Sequence, residues 1–155
     1  IKAGEAFILK NLADLHRELG ELDQAEVLAD KSLSLAQRVE EQQLVADVLL
    51  LKGELLEERG KSGLKYMEWS LEIANKVNTA ETAWPIFSAM ARHCVRHKRH
   101  DLALEHYKKI LFWFKQALAN ISQPELKSSY IFAPRRRQMF KDIKLFRQEA
   151  ASHAG

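Results

Sequence analysis

The chain has 155 residues, of which 46% are hydrophobic and 29% charged, with only 6 glycines and 3 prolines. This length and composition predict one globular, mainly helical domain that buries a core without disulfide or metal staples. No apolar run approaches the roughly 18 residues of a membrane span, and a single cysteine excludes an internal disulfide, so a reducing, cytoplasmic location is expected.

Charge is divided unevenly along the sequence. Residues 1–79 carry a net charge of −5 and residues 80–155 a net charge of +8, which together give +3. One end of the molecule is therefore expected to be acidic and the other basic. The chain starts at Ile1 rather than at a methionine, and we expect it to be a fragment of a longer protein.

The first half of the chain predicts three helices. An apolar stripe at three- and four-residue spacing marks the first helix, along Leu9, Leu12, Ala13, His16 and Leu19. Gly20 ends it, and a second helix is predicted from about Asp23 to Glu40. A third covers roughly Gln42 to Arg59 and is stopped by Gly60, whose freedom at positive φ suits a helix end.

Three further helices are predicted over the next 60 residues or so. The fourth runs from about Ser62 to Val77, the fifth from Ala80 to Lys98, and the sixth from near Asp101 to about Ala119. Asn78 and Thr79 supply a capping signal for the fifth helix. Pro85 is expected in about its first turn, where a missing N–H costs little.

Two more helices are predicted after residue 119. Residues 122–125 (Ser-Gln-Pro-Glu) have the pattern of a capping box with proline in the first turn of a short seventh helix. Ala133-Pro134 ends that helix and starts an eighth, with an apolar face at Met139, Ile143, Phe146 and Ala150. Its charged face, as expected of a capping helix, consists of Arg137, Lys141, Lys144 and Arg147. No strand pattern is found, so residues 1–155 are predicted to form one all-α domain.

Self-similarity with a period of about 38 to 40 residues relates the first six helices. In the first helix of each pair a small residue occupies the same position, at Ala13, Gly53 and Ala91. The second helix matches at Ala25, Gly63 and Ala103, and again at Ser32, Ser70 and Ile110. Small residues let two helices approach closely while larger neighbours fill the adjacent holes, so each pair is expected to be a hairpin.

This pattern resembles the tetratricopeptide repeat family over residues 3 to about 118. The match is best in the first hairpin and in the second half of the third, at Leu12, Ala13, Gly20, Ala25, Ser32, Ala103 and Tyr107. The pattern departs from the family in three respects. The turn after Gly60 is about two residues shorter, and Lys98 stands where a turn glycine is usual. The period also exceeds the usual 34 or so residues. HEAT-like repeats are therefore an open alternative.

The resemblance implies an all-α solenoid of three helical hairpins, at about 3–40, 42–77 and 80–119, with one or two capping helices at 122–152. Residues 118–130, followed by Pro134, are similar to the tail that closes tetratricopeptide arrays in large bacterial multidomain signalling proteins. In those proteins an ATPase, kinase or cyclase module lies upstream. The present chain, which has no glycine-rich phosphate loop or Ser-x-x-Lys motif, is expected to be neither an enzyme nor a cofactor-binding protein.

Residues 92–100 form the most conspicuous basic segment. His93 and His97 are four residues apart on a helix, a spacing that can bind zinc. Cys94 points about 100° away on that helix, no acidic ligand is near in sequence, and the surrounding Lys and Arg side chains repel a cation. We therefore expect no metal site, a solvated basic helix end, and a buried structural thiol at Cys94.

Arg135, Arg136 and Arg137 form a second basic cluster, expected at the surface. With residues 92–100 they offer a phosphate-binding surface, but the interleaved aromatics of single-strand binders are missing there. Binding of nucleic acid is thus an alternative function, and it is less favoured than binding of a protein partner.

Aromatic side chains are expected to pack between hairpins, at Trp69, Trp84, Trp113, Phe112 and Phe114. Trp84 lies beside Pro85 near the start of the fifth helix, close to the expected groove, so a small-molecule sensor is a third hypothesis.

The resemblance also implies where a partner binds, because the first helix of each hairpin lines the concave face. The exposed side chains expected there are Lys10, Asp14, Arg17, Asp47, Leu50, Glu54, Glu57, Ser88, Arg92, Val95 and Arg96. A groove of mixed sign suits an extended peptide or a helix of a protein partner. The apolar segment at residues 6–9 further predicts that a preceding hairpin, or a second copy of the chain, packs on the first helix.

Overall fold

The computed structural model describes residues 1–77 and 80–154, and these residues form eight α-helices and no strand. In chain order the helices are α1 (Lys2–Glu18), α2 (Leu22–Arg38), α3 (Gln42–Glu58), α4 (Leu64–Val77), α5 (Ala80–Arg96), α6 (His100–Ala119), α7 (Pro124–Phe132) and α8 (Pro134–Ala154). The predicted all-α class is confirmed. The cap expected at Asn78 and Thr79 falls outside the described residues. None of the described helices has the length and apolar character needed to cross a membrane.

Consecutive helices pack in pairs. The most extensive contacts are those of α1 with α2, α3 with α4 and α5 with α6. Further contacts of α2 with α3 and of α4 with α5 join one pair to the next, and α3 also touches both α1 and α5. The first helices of the three pairs therefore lie side by side, with α3 in the middle.

Small residues are buried at the corresponding positions of all three pairs, and in the second pair they mark a close approach of the two backbones. Ala13 and Ala25 are buried in one core cluster, and Ala91 and Ala103 in another. In the second pair the backbones come so close that a Cβ on Gly63 would lie 2.0 Å from the carbonyl oxygen of Gly53. Only glycine fits at that position, because an additional carbon would overlap the backbone of α3.

A buried serine makes the same hydrogen bond in the first two pairs. Ser32 Oγ donates to the carbonyl oxygen of Ala6 at 2.7 Å, and Ser70 Oγ donates to that of Ala46 at 2.6 Å. Both hydroxyls are completely buried, so these bonds remove the cost of desolvating them. The third pair has Ile110 at this position, and it packs in an apolar cluster with Trp84.

Among the described residues, four helix ends are followed by a residue in the left-handed conformation. These residues are Gly20 and Gly60 (φ 78° and 75°) and, without glycine, Glu40 and Lys98 (both φ 57°). In each case the next residue donates its N–H to a carbonyl five residues back, as in Arg99 N to Cys94 O at 2.8 Å. Lys98 thus adopts the conformation of the turn glycine that it replaces, although its Cβ makes that conformation unfavourable.

Three local predictions are wrong. The connection between α3 and α4 spans residues 59–63 and is longer, not shorter, than the 19–21 connection, because α4 begins only after Gly63. Pro85 is the sixth residue of α5 rather than part of its first turn, so the Glu81 carbonyl lacks its usual donor. The capping box at residues 122–125 does not form: α7 begins at Pro124, and its N-cap, Gln123, makes no side-chain cap bond.

The last helix closes the third pair. Its Met139, Ile143 and Phe146 are buried in a cluster with side chains of α5 and α6, and the Phe146 ring lies 5.1 Å from that of Tyr107. The four basic residues predicted to face water, Arg137, Lys141, Lys144 and Arg147, are all exposed. The predicted packing face of this helix is confirmed for Met139, Ile143 and Phe146, but it is wrong for Ala150, which is exposed because it lies beyond the cluster with α5 and α6.

At the opposite end, α1 leaves an apolar stripe uncovered. This N-terminal apolar face consists of four exposed side chains spaced four, three and four residues apart: Ile8, Leu12, Leu15 and Leu19. Phe7 is also exposed but lies off the stripe. The repeat counterparts of Ile8 and Leu15 are Val48 and Leu55 in α3, which are buried in the core cluster shared with the first pair.

Candidate functional site: a charged groove

A groove of about 460 Å³ is bounded by α1, α3, α5 and α8. Three smaller depressions adjoin it and share lining residues with it. All eleven residues predicted for the concave face line the groove or one of these depressions. The predicted residues therefore lie around one groove and its neighbouring depressions, and their role in binding a partner stays a prediction.

Ion pairs form the floor of the groove. Arg17 pairs with Glu54 and, at 2.6 Å, with Glu58, while Arg92 lies 3.9 Å from Glu54 and 3.6 Å from Asp142. A buried carboxylate such as Glu54 needs these cations, because an unpaired charge away from water is strongly destabilised. Burial by itself would lower the pKa of Arg17, but Glu54 and Glu58 raise it, so the guanidinium stays charged.

The rim toward α1 is also charged. Lys10 Nζ lies 2.6 Å from Asp14 on the same helix. Burial raises the pKa of the Asp47 carboxyl, against the opposing effect of Lys10 and Arg135. These side chains line one of the adjoining depressions, so charges of both signs lie there as well as in the groove.

Three of the predicted groove residues are buried rather than exposed: Leu50, Glu54 and Ser88 are only 5%, 7% and 2% exposed. Leu50 packs in a core cluster between α3 and α5. Glu54 is covered by the two arginines that pair with it, and Ser88 accepts a hydrogen bond from Arg92 at 2.9 Å. The expectation of full exposure fails because α5 packs directly on α3 and its long side chains cover the floor.

One wall of the groove was missed by sequence reasoning. Arg135, Gln138, Met139 and Asp142 of α8 line it, and Gln138 Nε2 donates to Asp142 Oδ1 at 3.1 Å. From its sequence, α8 is expected only to cap the preceding helices. A signal was available, because the polar residues 135, 138 and 142 are spaced three and four apart and so share a second face of that helix.

A cluster around Glu81 fixes this wall to the start of α5. The Glu81 carboxylate accepts hydrogen bonds from Tyr130 Oη at 2.5 Å, Arg136 Nη2 at 2.8 Å and Trp84 Nε1 at 3.2 Å. Burial would raise the pKa of Glu81, but these hydrogen bonds outweigh it and lower the pKa. Burial and the neighbouring carboxylate raise the pKa of Tyr130 to about 12.

Arg136 is therefore half-buried and paired, not a freely solvated charge. Its guanidinium lies 3.9 Å from the centre of the Tyr130 ring, and its Nε is buried without a hydrogen-bond partner among the described residues. The prediction of three surface arginines is wrong for Arg136, whereas Arg135 and Arg137 are exposed. The neighbouring chain segment α7 supplies the pocket, which a local pattern of three arginines does not reveal.

The basic segment at 92–100 is divided between core and solvent. Residues 96–100 are exposed, as predicted, but His93 and Cys94 are buried. Burial raises the pKa of the Cys94 thiol, which agrees with a structural rather than a nucleophilic residue. His93 Nδ1 contacts the Glu57 carboxylate of α3, and Arg96 lies 2.9 Å from the other oxygen of that carboxylate. Glu57 is the acidic partner that the local sequence lacks.

The aromatic residues differ in their environments. Trp84 and Phe114 are buried with ring centroids 5.6 Å apart, as expected for packing between helices. Trp84 also lines the groove, where Arg135 lies 5.9 Å from the centre of its ring. Trp69 and Phe112 are 44% and 57% exposed, so the packing prediction is wrong for these two.

Comparisons with protein-family models, with curated proteins and with solved structures find no match. Similarity therefore assigns no family to the chain. Function is inferred from the geometry and charge of the groove.

Proposed function

We propose that the chain is a protein-interaction scaffold, a tetratricopeptide-like array whose groove binds a peptide segment of a partner. The observation that carries the proposal is the groove of about 460 Å³, bounded by four helices that come from both ends of the sequence. A concave surface of that kind accommodates an extended chain or one face of a helix.

The lining indicates the chemistry of the segment. Trp84, Pro85 and Met139 give the groove an apolar patch, flanked by Arg92 and Arg135. Arg135 is exposed, and its guanidinium lies 5.9 Å from the centre of the Trp84 ring, so it can pair with a ligand carboxylate beside that ring. The segment that fits best has an apolar side chain and charges of both signs, including a carboxylate for Arg135, because four carboxylates also line the groove.

The repeat features support the tetratricopeptide-like part of the proposal. Small residues are buried at corresponding positions of the three pairs, and Ser32 and Ser70 make equivalent hydrogen bonds to the first helix of their pairs. The similarity of residues 118–130 to the tail of arrays in bacterial regulators supports a docking role within a larger cytoplasmic signalling protein. On this proposal any enzymatic activity belongs to another part of that protein.

Nucleic acid is a weaker candidate. Three arginines of the two basic clusters, Arg92, Arg96 and Arg136, already contact carboxylates. Fewer cations are therefore available to phosphates than the sequence indicates. If binding to nucleic acid did occur it would fall steeply with added salt, which separates it from peptide binding.

The test is selection from a displayed random peptide library, followed by affinity measurement with labelled peptides. We expect enriched peptides to bind at least about tenfold more weakly to Arg135→Glu, because a reversed charge repels the ligand carboxylate. Arg137→Glu is the matched control, since it reverses an exposed charge on the same helix outside the groove. Failure to enrich any peptide, or equal loss in both variants, would contradict the proposal.

A further inference from the structure

Glu57, His93 and His97 come together where α3 meets α5. Their candidate ligand atoms all lie within 4.8 Å of one another. The two histidines are one turn apart on α5, and their ring centroids are 4.3 Å apart. We propose that these three side chains form a zinc site, in which the carboxylate from α3 completes the pair of imidazoles on α5.

The distances fit a tetrahedral ion with little movement. Zinc binds imidazole nitrogen and carboxylate oxygen at about 2.0–2.2 Å, so neighbouring ligand atoms are about 3.5 Å apart. His93 already contacts Glu57, and His97 is exposed, so its ring is free to rotate the remaining distance. Two imidazoles and one carboxylate suit Zn²⁺, whereas Mg²⁺ and Ca²⁺ prefer sets of oxygen ligands.

A second layer of contacts holds the carboxylate. The Gly63 N–H donates to Glu57 Oε1 at 3.3 Å, and Gly63 is itself fixed by its close approach to Gly53. These backbone contacts orient the carboxylate toward the two histidines before any metal ion binds.

The positive charges near the histidines do not exclude a cation. Arg92 lies close to Glu54 and Asp142, and the depression beside Glu57 contains three carboxylates and three arginines. Arg96 contacts the Glu57 oxygen that His93 does not, and its side chain is 48% exposed. It can therefore turn into solvent when zinc takes its place.

Zinc at this position links the second and third pairs, because its ligands come from α3 and α5. It replaces the contact between His93 and Glu57 and adds His97, and any proton on the imidazoles passes to solvent. Three protein ligands leave the fourth position of the tetrahedron for water. This inference is independent of peptide binding in the groove.

The test starts from protein treated with a chelator, then titrated with zinc in competition with a chromophoric chelator. We expect one zinc ion per chain and a thermal midpoint that rises at saturation. Co²⁺ in place of zinc should give the intense visible absorption of a tetrahedral site. His97→Gln should weaken the affinity on the order of 100-fold or more, a loss at least as large as that for removal of a supporting contact.

Two further variants make the result decisive. His100→Gln, which removes an exposed histidine outside the cluster, should leave zinc binding unchanged. His93→Gln should abolish binding, and His97→Gln reports on the site even if loss of the buried His93 impairs folding. No binding by the wild type, or wild-type affinity in His97→Gln, would overturn the proposal.

Discussion

Gly63 is the position at which the structure makes the sharpest stability prediction. A Cβ there would lie 2.0 Å from the Gly53 oxygen, 2.6 Å from its carbonyl carbon and 2.8 Å from its Cα. Ordinary contacts are 3.4 Å or longer, so Gly63→Ala must push α3 and α4 apart by more than 1 Å or so. Because the obstacle is backbone and not a flexible side chain, we expect a loss of about 3 kcal/mol or more, at the upper end for overpacking.

The assay is urea unfolding with linear extrapolation, supported by thermal unfolding. A loss of 3 kcal/mol corresponds to a fall of roughly 6–12 °C in Tm for a chain of this size. Gly4→Ala is the matched control, because a Cβ at Gly4 in α1 meets nothing within 4 Å and should stabilise the helix slightly. Equal stabilities of the two variants would refute the close approach of α3 and α4.

Four further predictions concern separate parts of the chain. Lys98→Gly should raise the free energy of unfolding, measured with urea, by about 0.5–1 kcal/mol. Glycine relieves the strain of a positive φ at this position, and this gain exceeds the entropic cost of glycine's greater freedom in the unfolded chain. Arg136→Ala should cost about 1–2 kcal/mol, since it strips Glu81 of its cation, whereas Arg137→Ala should change stability by less than about 0.5 kcal/mol. Because the folded-state pKa of Glu81 lies below its ordinary value of 4.5, the advantage of the wild type over Glu81→Gln should be full above pH 4.5 and shrink as the pH falls through the folded-state pKa. Finally, we expect the chain to self-associate through the N-terminal apolar face, and Ile8→Glu to be monomeric by sedimentation velocity; a dimer that persists in Ile8→Glu would argue against this surface.

The helices were predictable because their signals are local. A 3.6-residue apolar period, glycines at helix ends and small residues at repeat positions require no knowledge of distant contacts. The same signals select eleven residues that lie around one groove and its neighbouring depressions. Where local signals compete with packing they fail: the capping box at residues 122–125 gives way to a helix that begins at Pro124.

Contacts between distant residues account for what the sequence did not reveal. His93 lies 36 residues from Glu57, and Arg136 lies 55 residues from Glu81. Each of the four residues, taken alone, resembles an ordinary surface charge on a helix. Their partners become visible only when α3 is placed against α5, or α8 against α5, and a single sequence does not specify these packings.

The groove joins the two ends of the chain, since α1 and α8 both contribute to its walls. In a linear stack each unit touches only its neighbours, and the termini can fray without affecting one another. A ligand that contacts both Arg17 and Asp142 removes this independence, because opening either terminus then breaks its contacts. With a ligand bound in the groove, unfolding of α1 and unfolding of α8 would become coupled, and amide hydrogen exchange would slow at both termini together.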